Sequence, residues 1–255
     1  MAMIKKPLAV VSLVFLCAGT ALRAGATPSS TVWTPCTIDI QPFRVGHVTY
    51  DNYTTLGKKS PARGGQAFPN DLGLTGGVLP WEKLQMEVGI DWMEPSDYPA
   101  YFNAKLGSPE GTLFKGAPAL EAGIFNVGTK KGVTDQDIGY VVTGRSLPGN
   151  LGRLHLSAYF GNAKILRSSD GGLQNVGFMA AYDYGFWQKK SPEGDYNRLV
   201  LAGDFASGRN AIGGGGAGLY YYFTKNIDIL AGPVWFNDQG LNGLWKWTTQ
   251  LDINF

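Results

Sequence analysis

Cysteine, histidine and charge are scarce in this 255-residue sequence, and each scarcity excludes a class of protein. Two cysteines are too few for a disulfide-stabilised scaffold, and with only two histidines there is no Cys/His zinc cluster, so we expect no metal and no cofactor. Charged residues make up 16%, against roughly 25% in ordinary soluble domains. Hydrophobic residues make up 44% and aromatic residues 13%, which is too much for a disordered chain.

Long apolar runs are also missing, with one exception near the N-terminus. Two lysines precede an apolar stretch, residues 8–18, and the Ala-Gly-Ala triplet 24–26 provides a small-x-small cleavage pattern. This order predicts a cleaved export signal over residues 1–26. Lipid attachment at Cys17 is the less favoured alternative, because Leu16 stands where such a site requires a small residue.

Export changes the charge of the chain. Cleavage removes three of the 22 basic residues and no acidic ones, which leaves 19 basic against 20 acidic residues. This balance does not indicate a basic surface, so we expect no nucleic-acid partner. The mature chain keeps one cysteine, Cys36, which we interpret as a packed, inert thiol rather than a reactive one.

From residue 43 onward, apolar and polar side chains alternate in blocks of about ten residues. In the block 83–92, KLQMEVGIDW, every second residue is apolar, and the last block, 245–255, repeats the pattern. Period two is typical of strands with one apolar face. The predicted strands are 43–55, 70–78, 83–92, 99–107, 117–126, 137–145, 151–160, 173–186, 195–206, 212–223, 226–236 and 245–255. Ten strands is the alternative, because two of the connections on the predicted short side, 108–116 and 187–194, are longer than expected.

Strands of this length suit a tilted crossing of a bilayer, where a closed barrel gives every backbone polar group a partner. No repeat or linker interrupts the array, so residues 43–255 are predicted to form one all-β domain, a single antiparallel transmembrane β-barrel. Aromatic residues near the block ends suit the two membrane interfaces: Trp81, Trp92, Phe160, Trp187, Phe223, Trp235 and Phe255. The alternative is a soluble β-sandwich or barrel with an apolar interior.

The terminal strand, TTQLDINF, carries the most specific signal. It ends in Phe255, with Ile253 and Leu251 at alternating positions before it. Together with the export signal, this ending resembles small bacterial outer-membrane β-barrel proteins of a porin-like, uncharacterised kind. The segment 34–52, TPCTIDIQPFRVGHVTYDN, is similar to such barrels of Gram-negative bacteria. The resemblance implies an outer-membrane location, and it makes Leu251, Ile253 and Phe255 an assembly signal. Outer-membrane lipid and the barrel insertion machinery are the implied partners.

Residues 27–42 precede the first predicted strand and contain Trp33, Pro35, Cys36 and Pro42. We expect a non-strand segment that is periplasmic or tucked into the lumen, because a tryptophan beside a pore mouth has reason to leave water. A flexible tail is the alternative.

The polar face of the strands is rich in charge and is predicted to line the lumen. Its members are Lys83, Glu87, Asp91, Lys105, Glu121, Arg145, Arg153, His155, Asp183, Arg198, Asp204, Asp228, Lys246 and Asp252. With His neutral, six are cationic and seven anionic, a balance that predicts weak ion selectivity. The three arginines are expected to lie against carboxylates such as Glu121, Asp183 and Asp204. An arginine facing lipid at the midplane would cost roughly 2–4 kcal/mol.

Two motifs match catalytic or binding patterns without the context that those patterns need. His155 and Ser157 share one strand face, as in outer-membrane phospholipases, but their parity points them to the lumen rather than to lipid. Gly213, Gly215 and Gly218 match G-x-G-x-x-G, yet they lead into a strand rather than a helix. We therefore expect a lumenal polar pair without catalysis, and glycines that allow a bend or make room for a neighbouring ring.

These features predict a narrow channel for small polar solutes or ions. Eight-stranded barrels are filled and barrels of 16–18 strands are open, so twelve strands fall between the two. A structural barrel with a filled lumen, serving an envelope complex, is the alternative. An outer-membrane lipid hydrolase is the least favoured reading.

Overall fold

The structure, a computed structural model, describes residues 29–56, 69–192 and 194–255. The predicted export signal and its cleavage site lie outside the described residues, as does most of one loop, residues 57–68. Among the residues described, no helix is long and apolar enough to cross a membrane.

Twelve antiparallel strands form the fold. They are β1 (Gly46–Thr54), β2 (Asn70–Gly77), β3 (Gln85–Glu94), β4 (Ala100–Ser108), β5 (Ala119–Gly128), β6 (Asp135–Ser146), β7 (Arg153–Phe160), β8 (Val176–Lys189), β9 (Tyr196–Ala206), β10 (Gly214–Tyr222), β11 (Ile227–Phe236) and β12 (Trp245–Asn254). Each strand pairs with its sequence neighbours, and β1 pairs with β12, so the sheet closes into a barrel. The twelve-strand prediction is confirmed, and the ten-strand alternative is wrong.

The barrel has two distinct ends. At one, called here the C-terminal end, Gly46 and Phe255 exchange two backbone hydrogen bonds of 2.9 Å, which close the barrel seam. The other, called the loop end, carries the two longest connections, residues 55–69 and 161–175. A four-residue helix, Gln239–Asn242, also lies at the loop end.

The outer face of the barrel is apolar because side chains alternate across each strand. In β7, Leu154 and Leu156 are 42% and 51% exposed, whereas His155 between them is fully buried. The seven aromatic residues predicted for the interfaces are all exposed. Trp81, Trp187, Phe223 and Phe255 lie toward the C-terminal end, and Trp92, Phe160 and Trp235 toward the loop end. This arrangement matches the apolar band and aromatic girdles of transmembrane barrels.

Strand β6 differs from its predicted register by one residue. The predicted inward position of Arg145 would place Val142 on the lipid side. Val142 is instead buried on the inner face together with Ile138 and Tyr140, whereas Val141 is exposed. Arg145 is therefore exposed on the outer face, near the C-terminal end, and not in the lumen. The prediction failed because the inner face of β6 packs in an apolar cluster with Cys36, so apolar character did not identify the lipid side here.

Residues 29–42, called here the inner segment, lie inside the barrel. Most of them are almost fully buried, and none belongs to a strand. The segment leaves the wall at the C-terminal end, where a Cβ added to Gly77 would lie only 1.9 Å from the carbonyl oxygen of Pro42. It reaches the loop end at Trp33, whose Nε1 donates to the carbonyl oxygen of Ile212 over 2.9 Å. The chain then folds back, so that Ser29 again lies near the C-terminal half of the lumen.

Candidate functional site

Glu87 on β3 holds both legs of the inner segment. Its side chain is fully buried, and it accepts hydrogen bonds from the backbone N and the Oγ of Ser29 at 2.8 and 2.9 Å. It also accepts from the backbone N of Gln41 at 2.7 Å. Hydrogen bonds to a charged acceptor are stronger than neutral ones. One carboxylate therefore joins the start and the end of the segment.

Lys105 on β4 binds the same region from the neighbouring strand. Its Nζ donates to the carbonyl oxygens of Ser29, Thr37 and Asp39 at 3.2, 3.1 and 2.8 Å. It also lies 3.7 Å from Oε2 of Glu121. The three ammonium protons thus have three backbone acceptors, which offsets the cost of burying the charge.

Asp204 on β9 holds the tip of the segment. Its Oδ2 accepts from three consecutive backbone N–H groups, those of Val32, Trp33 and Thr34, at 3.0, 2.8 and 2.7 Å. Its Oδ1 accepts from the backbone N of Gly216 at 3.0 Å. Successive N–H groups that converge on one point form a concave anion site, and here the protein's own carboxylate occupies it.

Arg153 on β7 connects the segment to a third part of the wall. Its two terminal nitrogens each lie 2.7 Å from an oxygen of Asp39, and its Nε lies 3.1 Å from Oδ1 of Asp183 on β8. Nε2 of His155 is 3.0 Å from Oδ2 of the same Asp183. The paired fork of an arginine and a carboxylate fixes orientation as well as energy.

The wall leaves no spare room around the segment at two glycines. A Cβ on Gly144 would lie 2.6 Å from Cγ2 of Ile38, and one on Gly216 would lie 2.5 Å from Cγ1 of Val32. Both distances are far below van der Waals contact. The glycine-rich start of β10 therefore provides space for the inner segment.

Cys36 lies at the centre of this packing. It is fully buried, in a cluster with side chains of β5 to β9 that includes Tyr140 and Met179. Burial raises the pKa of the Cys36 thiol, the nearby Asp204 carboxylate raises it further, and Lys105 lowers it. The uncharged thiol is the favoured form, so its reactivity depends on exposure.

The lumen is not filled evenly. A cavity of about 100 Å³ lies at the loop end, beside the tip of the inner segment. Asp51, Asp71 and Asp91, from the first three strands, line it together with Trp33 and Tyr53. The interior thus has a tightly occupied part and an open acidic part.

Most of the predicted lumen-lining residues lie inside the barrel. Ten are buried there: Glu87, Asp91, Lys105, Glu121, His155, Asp183, Asp204, Asp228, Lys246 and Asp252. Arg153 is half-buried among them. Lys83 is instead exposed, in the turn between β2 and β3, and Arg145 is on the outer face.

Among the described residues, Arg198 lies against no carboxylate, contrary to the expectation. Its Nη2 donates to the hydroxyl of Tyr221 over 2.8 Å, and its guanidinium lies over the rings of Tyr221 and Trp187 at 5.1 and 5.8 Å. Trp187 sits at an irregular point of β8 with φ of 59°, near the start of β9. Aromatic rings at this rim offer the cation an alternative partner.

Sequence reasoning missed three acidic residues of the interior: Asp39, Asp51 and Asp71. Ten carboxylates line the described interior: Asp39, Asp51, Asp71, Glu87, Asp91, Glu121, Asp183, Asp204, Asp228 and Asp252. Four cationic side chains in the described part of the chain are buried or pair with these carboxylates: Lys105, Arg153, Lys225 and Lys246. The predicted near-balance of charge is therefore wrong, and the interior is strongly acidic.

In the structure, the His155–Ser157 pair and the glycine motif, which resemble known sites, both pack as parts of the barrel wall. His155 and Ser157 both face inward, but in the described part of the chain no hydrogen bond joins them; Ser157 Oγ is 3.5 Å from the carbonyl oxygen of Ala158. A serine nucleophile needs a base in contact with it, which this pair lacks. In the glycine motif, a Cβ on Gly215 would lie 3.0 Å from the ring of Trp235.

The predicted assembly signal forms the end of β12. Leu251 and Phe255 are exposed on the outer face, and Ile253 is partly exposed beside them. The ring of Phe255 covers Gly46, where a Cβ would lie 2.7 Å from it. Recognition of this ending by insertion machinery stays a prediction.

Comparison with known proteins gives a fold but no sequence family. No family model matches the chain, and no curated protein sequence matches it. Among solved structures, it is similar to the KdgM porin, with 8% identity, TM-score 0.52, and coverage of 83% of this chain and 99% of that one. The NanC porin shows 8% identity, TM-score 0.51, and coverage of 82% and 98%. An outer membrane channel from Pseudomonas putida F1 shows 14% identity, TM-score 0.48, and coverage of 87% and 99%. The chain, a closed barrel of twelve strands, shares the β-barrel fold of bacterial outer-membrane porins.

Proposed function

We propose that this chain is a bacterial outer-membrane channel for small polar solutes, closed at rest by the inner segment. The observation that carries the proposal is the nature of the occupant: a non-strand stretch, held to the wall mainly by side chains such as Glu87, Lys105 and Asp204. Displacing it leaves the strand pairing intact and opens a polar, charged passage. The KdgM and NanC barrels, both described as porins, support this architecture and give no support to an enzyme.

The placement of the segment fits export and cleavage. If residues 1–26 are removed, the mature chain starts two residues before Ser29, whose contacts with Glu87 lie toward the C-terminal end. In outer-membrane barrels this end faces the periplasm. The segment would therefore close the channel from the periplasmic side, and the loop end would face outward.

The charge of the interior supports selectivity for cations. In the described part of the barrel, ten carboxylates stand against four cationic side chains that are buried or pair with them. Rings of acidic side chains favour cations in channels, because they replace part of the ion's hydration shell and lower its electrostatic energy. We expect cations and cationic or neutral polar solutes to pass, and anions to be excluded.

Planar bilayer recording tests the proposal. The test compares the wild type with a double variant, Asp204→Ala with Glu87→Gln, which removes anchors of both the tip and the legs. Asp228→Asn is the matched control, because Asp228 is a fully buried lumenal carboxylate that does not bind the segment. We expect brief or rare openings of the wild type and of the control. The double variant should open more often. In a salt gradient, its current should reverse at a potential that indicates selectivity for cations.

A second candidate, the structural barrel, is favoured by the filled lumen itself. Measuring Cys36 labelling together with current distinguishes the channel from the structural barrel. A double variant that is folded on gels and labels at Cys36, yet carries no current, would refute the channel and leave the structural barrel. A wild type that conducts as well as the double variant would refute closure by the segment.

A further inference from the structure

Three carboxylates line the cavity at the loop end, Asp51, Asp71 and Asp91. Asp51 on β1 and Asp71 on β2 stand directly opposite each other in the antiparallel register, and Asp91 lies on the next strand, β3. Like charges directly opposite each other destabilise a sheet. In the described part of the chain, no ion pair joins any of these three to a lysine or arginine. A positively charged occupant would remove this repulsion.

Among the described residues, individual oxygen atoms in the cavity wall have no hydrogen-bond partner. Asp91 is 1% exposed; its Oδ2 accepts from Nδ2 of Asn103 at 3.1 Å, but its Oδ1 has no partner. Oδ1 of Asp71 is likewise buried without a partner. Buried acceptors are almost always satisfied, so each exception needs an explanation. Because both residues line the cavity, a ligand there would supply what is missing.

Aromatic rings form another part of the same cavity. Trp33, Tyr53 and Phe125 line it, and the rings of Trp33 and Tyr53 meet edge to face with centroids 5.7 Å apart. Aromatic faces attract cations, most strongly when the cation is an alkylated ammonium that loses little hydration on binding. Carboxylates beside aromatic rings therefore suit an organic cation better than a strongly hydrated inorganic one.

The volume of the cavity and the positions of its carboxylates agree with an organic cation as the ligand. The cavity of about 100 Å³ has room for several water molecules or for a compact organic group. In the described residues, no three His, Cys, Asp or Glu side chains are close enough together to hold a metal ion. The three carboxylates come from three neighbouring strands and line the cavity, which suits a cation that fills it.

We propose that this cavity binds small organic cations with a substituted ammonium group. Asp51, Asp71 and Asp91 would balance the charge, and Trp33 and Tyr53 would contact the alkyl groups. The inference rests on the proposed function, since the cavity lies at the loop end, where an entering solute arrives first. Trp33 belongs to the inner segment, so the bound cation contacts the tip of the element that closes the lumen.

Ligand-observed NMR with tetramethylammonium chloride tests this, on the folded barrel in a non-ionic detergent. We expect saturable binding to the wild type and a loss of affinity of about tenfold or more in Asp91→Asn, which keeps the side-chain shape. Asp228→Asn, the matched buried carboxylate outside the cavity, should change affinity by less than about twofold. Neopentyl alcohol, an uncharged molecule of similar shape, should not compete. If Asp91→Asn fails to fold, Asp71→Asn provides the same test.

Three results would overturn the proposal: no saturable binding to the wild type, equal losses in Asp91→Asn and Asp228→Asn, or equal competition by sodium chloride at matched concentration. The second would show attraction by the acidic lumen as a whole, and the third an inorganic occupant. Binding is measured without current. A barrel that binds the probe but never conducts would contradict only the channel, and a barrel that conducts but does not bind would contradict only this site.

Discussion

Two pairs of acidic residues inside this barrel differ in what their oxygens bind. Glu87 and Asp204 accept several hydrogen bonds each, chiefly from the inner segment. Asp71 and Asp91 face the cavity at the loop end, and each has an oxygen without a partner. Burial is similar for Glu87, Asp204 and Asp91. At similar burial, Glu87 and Asp204 therefore hold the inner segment, whereas Asp91 lines open space.

Of the substitutions compared here, Asp204→Ala should weaken the docking of the inner segment most. It leaves three consecutive buried N–H groups without their acceptor, and hydrogen bonds to charged groups contribute roughly 1.5–3 kcal/mol each. We expect the docked segment to lose roughly 3 kcal/mol, and Cys36 in the folded barrel to react with a water-soluble thiol reagent about 100-fold faster. Asp228→Ala is the control. Equal labelling rates in wild type and Asp204→Ala would contradict the role of Asp204.

Glu87→Gln should have the next largest effect. The glutamine keeps the shape and one acceptor oxygen, but it loses the charge and one of the acceptors shared by Ser29 and Gln41. A loss of roughly 2 kcal/mol, or about 30-fold faster labelling of Cys36, is expected. Glu121→Gln serves for comparison, since Glu121 is buried on the same face and contacts Lys105 rather than the segment. The idea fails if the two variants label equally fast.

Gly216→Ala should loosen the segment through volume alone. The added Cβ would lie 2.5 Å from Cγ1 of Val32, and overpacking of this kind costs roughly 1–3 kcal/mol. Gly203→Ala on the neighbouring strand makes a close control, because its nearest neighbour would be 3.4 Å away. Faster labelling of Cys36 in Gly216→Ala only is the expected result. Similar labelling in both would show that Val32 has room to move.

Asp91→Asn should have the smallest effect on the segment. Asp91 lies in the cavity-facing pair, so we expect its loss to weaken cation binding while the Cys36 labelling rate stays within about twofold of wild type. Cys36 labelling and cation binding, measured on the same variants, distinguish the carboxylates that hold the segment from those that face the cavity. A labelling increase as large as that of Glu87→Gln would show that the two pairs act as one network.

The strands and the wall could be predicted from the sequence because their signal is local. Alternation of neighbouring residues identified all twelve strands, and ten of the residues assigned to the lumen are buried in the structure. Alternation gave the wrong facing for β6, where Ile138, Tyr140 and Val142 are apolar yet face inward. The assumption that apolar residues face lipid holds only where the lumen is polar, and here the inner segment makes part of it apolar.

The contacts of the inner segment could not be predicted from the sequence. They join residues far apart in the chain, such as Ser29 with Glu87 and Val32 with Gln250, and no periodicity links such pairs. Asp51 and Asp71 are a different case. Each has one aromatic or apolar neighbour, Tyr50 or Leu72, and an asparagine on its other side, so the pattern gave only part of their inward direction.

Labelling of Cys36 in the folded wild-type barrel tests the central claim most directly. Cys36 is fully buried beneath the wall, and the only other cysteine of the chain, Cys17, lies in the predicted export signal. A membrane-impermeant thiol reagent at neutral pH, with mass spectrometry to identify the labelled peptide, reports whether the inner segment is docked. The account predicts labelling about 1,000-fold slower than in the urea-unfolded chain. Labelling of the folded barrel at nearly the unfolded rate would contradict a lumen closed by this segment.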